Sequence, residues 1–256
     1  MKESISFYYN GISSEEMGLY NVTLNSGLYE ESFLSERKIE EVTIRGREKP
    51  YFQGVTRSPL ILSLSFAFKD TYNEQKIREV ARWLDQNYYK PFYTVDAPNR
   101  IWYCVLNSSP KLLHNGLKQG YIDLEFRCDS PYTYTPIVES VVYDMSENTT
   151  SGTEITFINN GDVNCKPEIW IQKVGVGDFS IVNHTTGKEF KFIGLADGEE
   201  VKVNCENHII TTSLPATYRY NSFNNNYLDF VRGINHLTVK GKAKFQFRYY
   251  FKTLQG

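Results

Sequence analysis

Four histidines and four cysteines are the side chains of this 256-residue chain best suited to hold a metal or to act as nucleophiles. A zinc site draws its ligands from such residues at short, fixed spacings, because the side chains must converge on one tetrahedral centre. His114, His184, His208 and His236 form no i, i+4 pair on a helical pattern, and none neighbours a cysteine at ligand spacing. Cys104, Cys128, Cys165 and Cys205 contain no C-x-x-C pair. Cys104 stands beside Trp102 and Leu106, Cys128 beside Phe126 and Cys205 beside Val203, at apolar-face positions of strand patterns. A thiol placed there behaves as a small hydrophobe and forms little thiolate. The expectation is four reduced, inert thiols and no metal.

Paired carboxylates are the other possible machinery. Glu30-Glu31, Glu40-Glu41 and Glu199-Glu200 invite comparison with glycosidases, which need two carboxyl groups facing each other across a sugar. Sequence neighbours on a strand point to opposite faces, so no such pair is itself a catalytic pair. Gly175-Val176-Gly177 lacks the third glycine and the following helix of a dinucleotide site. Neither a phosphate-loop motif nor a G-x-S-x-G elbow occurs. The chain reads as a structural or binding component, not an enzyme, with no cofactor and no catalytic residue.

The charge balance narrows the partners. The formal net charge is −2, and neither half of the chain is basic. A grip on nucleic acid needs clustered Lys and Arg to displace counterions from phosphates, so nucleic acid is not an expected partner. No signal-peptide pattern opens the chain and no uncharged apolar run reaches about 18 residues, which predicts a soluble protein with no membrane partner. The order of the charges is more informative. Glu30, Glu31, Glu36, Glu40 and Glu41 precede Arg45, Arg47, Lys49 and Arg57, with Arg37 and Lys38 among the acids. Glu36, Glu40, Glu41, Arg45, Arg47 and Arg57 are therefore candidate subunit-interface residues, since opposite charges favour head-to-tail closure of a ring. Cross-strand pairs within one hairpin explain the same order.

The elements that must carry these residues are mostly strands. Leu60, Leu62, Leu64, Phe66 and Phe68 alternate with smaller or polar residues, as do Ile122, Leu124, Phe126 and Cys128; period-two alternation marks half-buried strands. Val42 with Ile44, and Trp102 with Cys104 and Leu106, add two more. Between Thr71 and Tyr88, Ile77, Val80, Ala81 and Leu84 fall at helical spacing, and Thr71 with Glu74 has capping-box spacing. Prolines 131 and 136 interrupt the strand pattern, which places a boundary there: residues 1–136 as one domain and 137–256 as a second. The second half carries short strands at Ile155/Phe157, Ile169/Ile171, Phe190/Phe192, Val201/Val203/Cys205, Leu237/Val239 and Phe245 to Phe251. The expected fold is mainly β: an N-terminal β-sandwich with one covering helix, then a second sandwich or jelly roll. Tyr218, Tyr220 and Tyr227 are candidates for stacking on sugar rings.

Several short patterns, in order, resemble the distal tail proteins of long, non-contractile-tailed phages. They are Phe7-Tyr8-Tyr9-Asn10-Gly11 followed by Met17-Gly18-Leu19, then Arg45-Gly46-Arg47 with Pro50-Tyr51-Phe52 and the strand from Pro59. The helix with Trp83-Leu84, then Asp96 and Asp129-Ser130-Pro131-Tyr132, complete the first half. Asn159-Asn160-Gly161, Pro167, Thr186-Gly187 and Gly233-Ile234-Asn235 resemble that family's second, galectin-like domain. The resemblance implies a homo-hexameric ring at the virion tail tip, made in the cytoplasm of the bacterial host. Its first, tail-tube-like domain would close around a DNA-conducting channel and join the tail tube protein to the tail hub or tail-associated lysin protein. The family has no catalytic residues to carry over. This chain lacks the large insertions with which some relatives hold a receptor-binding protein. The alternatives are a carbohydrate-binding module that contacts cell-wall saccharide and, more remotely, a glycoside-cleaving tail enzyme.

Overall fold

The computed structural model describes residues 3–22, 31–107 and 109–254. They fall into two compact units, one formed by the chain up to Thr135 together with Leu254, the other running from Pro136 to Thr253. Strands dominate both, and no helix is long and apolar enough to cross a membrane.

In the first unit the alternation seen in the sequence sets the sheet. Leu62, Leu64 and Phe66 are buried along strand Ile61–Phe68 while Ile61 faces out, and Leu124, Phe126 and Cys128 are buried along Gly120–Cys128. These two strands pair antiparallel from Tyr121↔Ala67 to Arg127↔Ile61. The sheet order is Ile12–Ser13, Phe7–Tyr9, Lys90–Thr94, Ala97–Leu106, Gly120–Cys128, Ile61–Phe68, Leu19–Val22. Phe7 and Phe66 lie on strands four steps apart in this order, yet their ring centroids are 4.3 Å apart. A flat sheet, at roughly 4.8 Å per step, would separate them by about 19 Å. The sheet therefore curls over its own aromatic core, so that one sheet supplies the layered packing expected of a sandwich. Cys104 and Cys128 stand directly opposite each other on neighbouring strands, both buried.

The helix, Glu74–Leu84, covers this core with Val80, Trp83 and Leu84. Trp83 stacks on Phe7 at 5.8 Å and donates its indole N–H to the Tyr9 carbonyl at 2.9 Å. The start differs from the Thr71/Glu74 expectation. Asn73 is the cap, its side-chain oxygen accepting the Lys76 N–H at 2.8 Å, because Asn73 immediately precedes the first helical residue while Thr71 lies two residues further out. A second correction concerns Val42 and Ile44. Both are exposed, since strands Arg37–Val42 and Tyr51–Arg57 form a separate two-stranded hairpin with no core beneath it among the described residues.

The second unit is a two-sheet sandwich. One sheet runs Val138–Glu139, Ala243–Tyr249, Glu168–Lys173, Glu200–Asn204, Ile209–Thr212, and the other Thr153–Asn159, Gly233–Lys240, Gly177–Asn183, Lys188–Leu195. Ile169, Ile171, Val201, Val203, Phe245 and Phe247 point inward from the first and meet Phe157, Phe179, Ile181, Phe190 and Phe192 from the second. Rings touch across the gap: Phe179 and Phe245 at 5.9 Å, Phe157 and Phe247 at 5.7 Å. One ion pair is sunk into this unit. Glu199 is fully enclosed and takes both arms of the Arg219 guanidinium, at 2.7 and 2.5 Å, with further hydrogen bonds from the Thr212 hydroxyl at 2.6 Å and the Ala196 amide at 2.9 Å. Burial alone would raise the Glu199 carboxyl; Arg219, Thr212 and Ala196 together hold it below its ordinary range.

Candidate functional site

The six candidate interface residues lie on or beside the hairpin of the first unit. Its ladder sets Arg37 against Arg57, Lys38 against Thr56, Ile39 against Val55 and Glu40 against Gly54. A bulge then shifts the register, so that Glu41 faces Phe52 and Val42 faces Tyr51. No acid stands opposite a base on this ladder, and Arg37 faces Arg57, a like-charge placement that disfavours the isolated hairpin. Glu40 instead meets Lys38 along its own strand at 3.4 Å and accepts the Thr56 hydroxyl at 3.3 Å. Arg47 lies over the Tyr51 ring at 3.8 Å. Glu36, Glu41 and Arg45 make no ion pair among the described residues. Glu30, the first acid of the run, lies outside the described residues.

The same hairpin is rich in uncovered apolar surface. Ile39 is 60% exposed, Phe52 68% and the preceding Phe33 78%, with Val42, Ile44, Tyr51 and Val55 also open. Among the described residues neither hairpin strand pairs with another strand, and none of these side chains joins the core of the unit. A lone two-stranded hairpin is marginal in water. This one also exposes apolar side chains on both of its faces, Ile39 and Val55 on one and Val42 and Tyr51 on the other, as a contact surface would. Acidic, basic and apolar groups are thus interspersed on one element, and the structure does not segregate the acids and bases onto two separate faces.

The three candidate sugar-stacking tyrosines belong to the second unit and are not equivalent. Tyr218 is open, at 84% exposure. Tyr220 lies in a 3-10 turn and accepts the Ile210 N–H on its hydroxyl at 3.1 Å. Tyr227 stacks on His208 at 4.1 Å, packs edge-on against Phe223 at 4.9 Å and donates its hydroxyl to the His208 carbonyl. The Tyr227 ring is therefore committed inside the loop region, while Tyr220 is anchored through its hydroxyl and stays 41% exposed. A different aromatic residue occupies an outward sheet position: Trp170, between Ile169 and Ile171, which point inward. The strand alternation was its signal in the sequence. Glu199 and Glu200 separate as neighbouring residues of a strand edge should, Glu199 into the interior and Glu200 toward Trp170, whose indole N–H it accepts at 3.2 Å. No group of three or more His, Cys, Asp or Glu poised for a metal is found among the described residues.

Comparison with known proteins then decides the family. A phage tail protein N-terminal domain matches residues 2–130 and a phage tail C-terminal domain matches residues 139–249. The chain belongs to this family of phage tail proteins. Over 99% of its length this tail protein is 30% identical to YomH, an SPbeta prophage-derived protein of Bacillus subtilis (strain 168), covering all of that relative. Its fold is similar to that of the Dit protein of phage SPP1, with a TM-score of 0.70 at 14% identity over 96% of this chain and 98% of the other. That protein is described as a paradigm of the hub adsorption apparatus in phages infecting Gram-positive hosts. A chain of the phage P2 baseplate in its activated conformation with calcium is similar at a TM-score of 0.51 and 9% identity, over 91% of this chain and 90% of that one. The tail protein thus combines the distal-tail fold with a hairpin whose surface is unmatched within its own unit.

Proposed function

We propose that this tail protein is the hub ring of the tail tip, closing with copies of itself around a channel for DNA through its first unit. The hairpin Arg37–Arg57 is the arm that each copy lays on its neighbour. The observation that carries this reading is the hairpin's combination of exposed Ile39, Phe52 and Val55 with Glu36, Glu41 and Arg45, none of these three engaged in an ion pair among the described residues. A structure that conducts DNA must be hollow, and heterologous contacts between identical subunits close into a ring when the rotation allows. Interspersed charges fix the register of such a contact while the apolar groups supply its attraction. Six copies, the tail tube protein on one side and the hub or tail-associated lysin protein on the other, follow from the family resemblance, as does the tail-tip location. The second unit is galectin-like by the same resemblance.

Native mass spectrometry and light scattering across protein and salt concentrations test the ring. The wild-type chain is expected to form one closed species. Phe52→Ser, and separately Arg45→Glu with Arg47→Glu, are expected to dissociate it while leaving thermal unfolding of the monomer unchanged, because the hairpin touches no core. Rings that persist in both variants would place the interface elsewhere. A wild-type chain that stays monomeric, both alone and on incubation with purified tail tubes, would overturn the proposal.

A further inference from the structure

The outer face of the six-stranded sheet in the second unit is built unlike an ordinary solvated surface. Because Ile169 and Ile171 point inward, Glu168, Trp170 and Gln172 point outward on the same strand. The register sets Trp170 between Gln246 and Lys202, with Thr211 beyond Lys202. The next row holds Glu139, Arg248, Glu168 and Asn204 in line. Together these residues rim an open depression of about 470 Å³.

Its side chains are held in place before any ligand arrives. Glu200 fixes the Trp170 ring through the indole N–H, as described above. Glu168 accepts from Arg248 at 2.7 Å and from Asn204 at 2.8 Å, and Arg248 also lies 3.7 Å from Glu139. The Gln246 amide donates to the Ser140 carbonyl at 2.7 Å. What remains open among the described residues is the Gln246 amide oxygen, the Lys202 ammonium, which makes no ion pair, and the Thr211 hydroxyl. An aromatic plate flanked by planar amides, fixed carboxylates and one open cation matches a ring that is apolar on its C–H face and hydroxylated at its edge. Three carboxylates, of Glu139, Glu168 and Glu200, outnumber the two cations, Lys202 and Arg248, so the face does not attract a polyanion.

We infer that this face binds a neutral saccharide, one pyranose ring on Trp170 and its hydroxyls on Gln246, Lys202, Thr211 and Glu168. The reading is independent of the ring proposal, since it needs only the second unit's own sheet. It also places the sugar away from Tyr227, whose ring is already packed on His208 and Phe223.

The chain carries its own reporter. Of its three tryptophans, Trp83 and Trp102 are 4% and 1% exposed, leaving Trp170 as the one a ligand can reach. Titrating the full-length protein with neutral oligomers of glucose and of N-acetylglucosamine should give a saturable change in tryptophan emission. Calorimetry should give the same affinity. Trp170→Ala should weaken binding at least about tenfold, about 1.4 kcal/mol. Lys202→Ala with Thr211→Ala, two groups open among the described residues, leaves the ring in place and should weaken binding with unchanged thermal unfolding. A glycerol-phosphate polymer and heparin are the anionic arm of the test. Three results would each overturn the inference: no saturable signal with any neutral oligomer up to about 10 mM; undiminished binding in both variants; or binding confined to the anionic polymers and abolished by salt.

Discussion

Replacing Arg219 by alanine strips the Glu199 carboxylate of its ion-pair partner among the described residues while leaving it largely shielded from water. Glu199 has no exposed side-chain surface and Arg219 only 13%. Removing one partner of a buried pair costs about 3–5 kcal/mol, because the other charge stays desolvated. The Thr212 hydroxyl and the Ala196 amide still donate to Glu199 after the change, and some water reaches the Arg219 side. The cost therefore belongs at the low end, about 3 kcal/mol. For a unit of this size a loss of 1 kcal/mol lowers Tm by roughly 4 °C, so the second unit should melt about 12 °C earlier. Differential scanning calorimetry on the full chain reads this directly, since the first unit's transition provides an internal standard. Arg219→Lys, which keeps the charge but loses the fork, should fall between. Glu199→Leu with Arg219→Met, which removes both charges, should recover most of the loss, since the cost lies in the orphaned carboxylate and not in the absence of a bond. A loss below about 1 kcal/mol for Arg219→Ala, or a double variant as unstable as the sum of its parts, would refute this reasoning.

Acid should act through the same pair. A carboxyl held below its ordinary value of 4.5 contributes stability that is fully present above that pH and is lost as pH falls through the depressed value. The second unit's Tm should accordingly drop below pH 4.5 in the wild type and do so less steeply in Glu199→Gln; equal slopes would remove Glu199 as the cause. The thiols offer a second readout. Burial pushes Cys128, Cys165 and Cys205 up to about 12 and raises Cys104 as well, so native protein at pH 8 should label slowly with thiol reagents and release four thiols on denaturation. Rapid labelling of any native thiol, or a denatured count below four in protein kept from air, would contradict this.

The strand faces were readable because alternation is a local property of the chain. Leu60, Leu62, Leu64 and Phe66, or Val201, Val203 and Cys205, announce an inward face wherever the sheet beneath them turns out to be, and all of them are buried. The hairpin shows where that logic stops. Val42 and Ile44 carry the same alternation, yet no core lies under them, since alternation reports that a face will be covered without naming what covers it. The helix was legible from its apolar stripe, but its start was not: Asn73, Thr71 and Glu74 are all capping residues, and only the backbone geometry selects Asn73. Pairings between distant strands left no local trace at all. Cys104 opposite Cys128, or Trp170 between Gln246 and Lys202, depends on register across segments far apart in sequence. For that reason the tyrosines near one loop stood out in the sequence while the tryptophan at the centre of a polar sheet face did not.

The curled sheet of the first unit also sets a timetable for synthesis. Phe7–Tyr9 pairs with Lys90–Thr94, and Phe7 stacks on Phe66 and packs at a tilt against Phe92. As the chain leaves the ribosome the strand Phe7–Tyr9 can therefore pair only with the short Ile12–Ser13 on one edge until the segment ending at Thr94 has emerged. At roughly 5–20 residues per second that delay is about 5–20 s. Throughout it Phe7 and Tyr9, which the finished sheet buries completely, lack the Lys90–Thr94 side of their cover and are open to a chaperone or to another nascent copy. A substitution that weakens Lys90–Thr94 would lengthen that exposure, and its first symptom would be lost yield during translation.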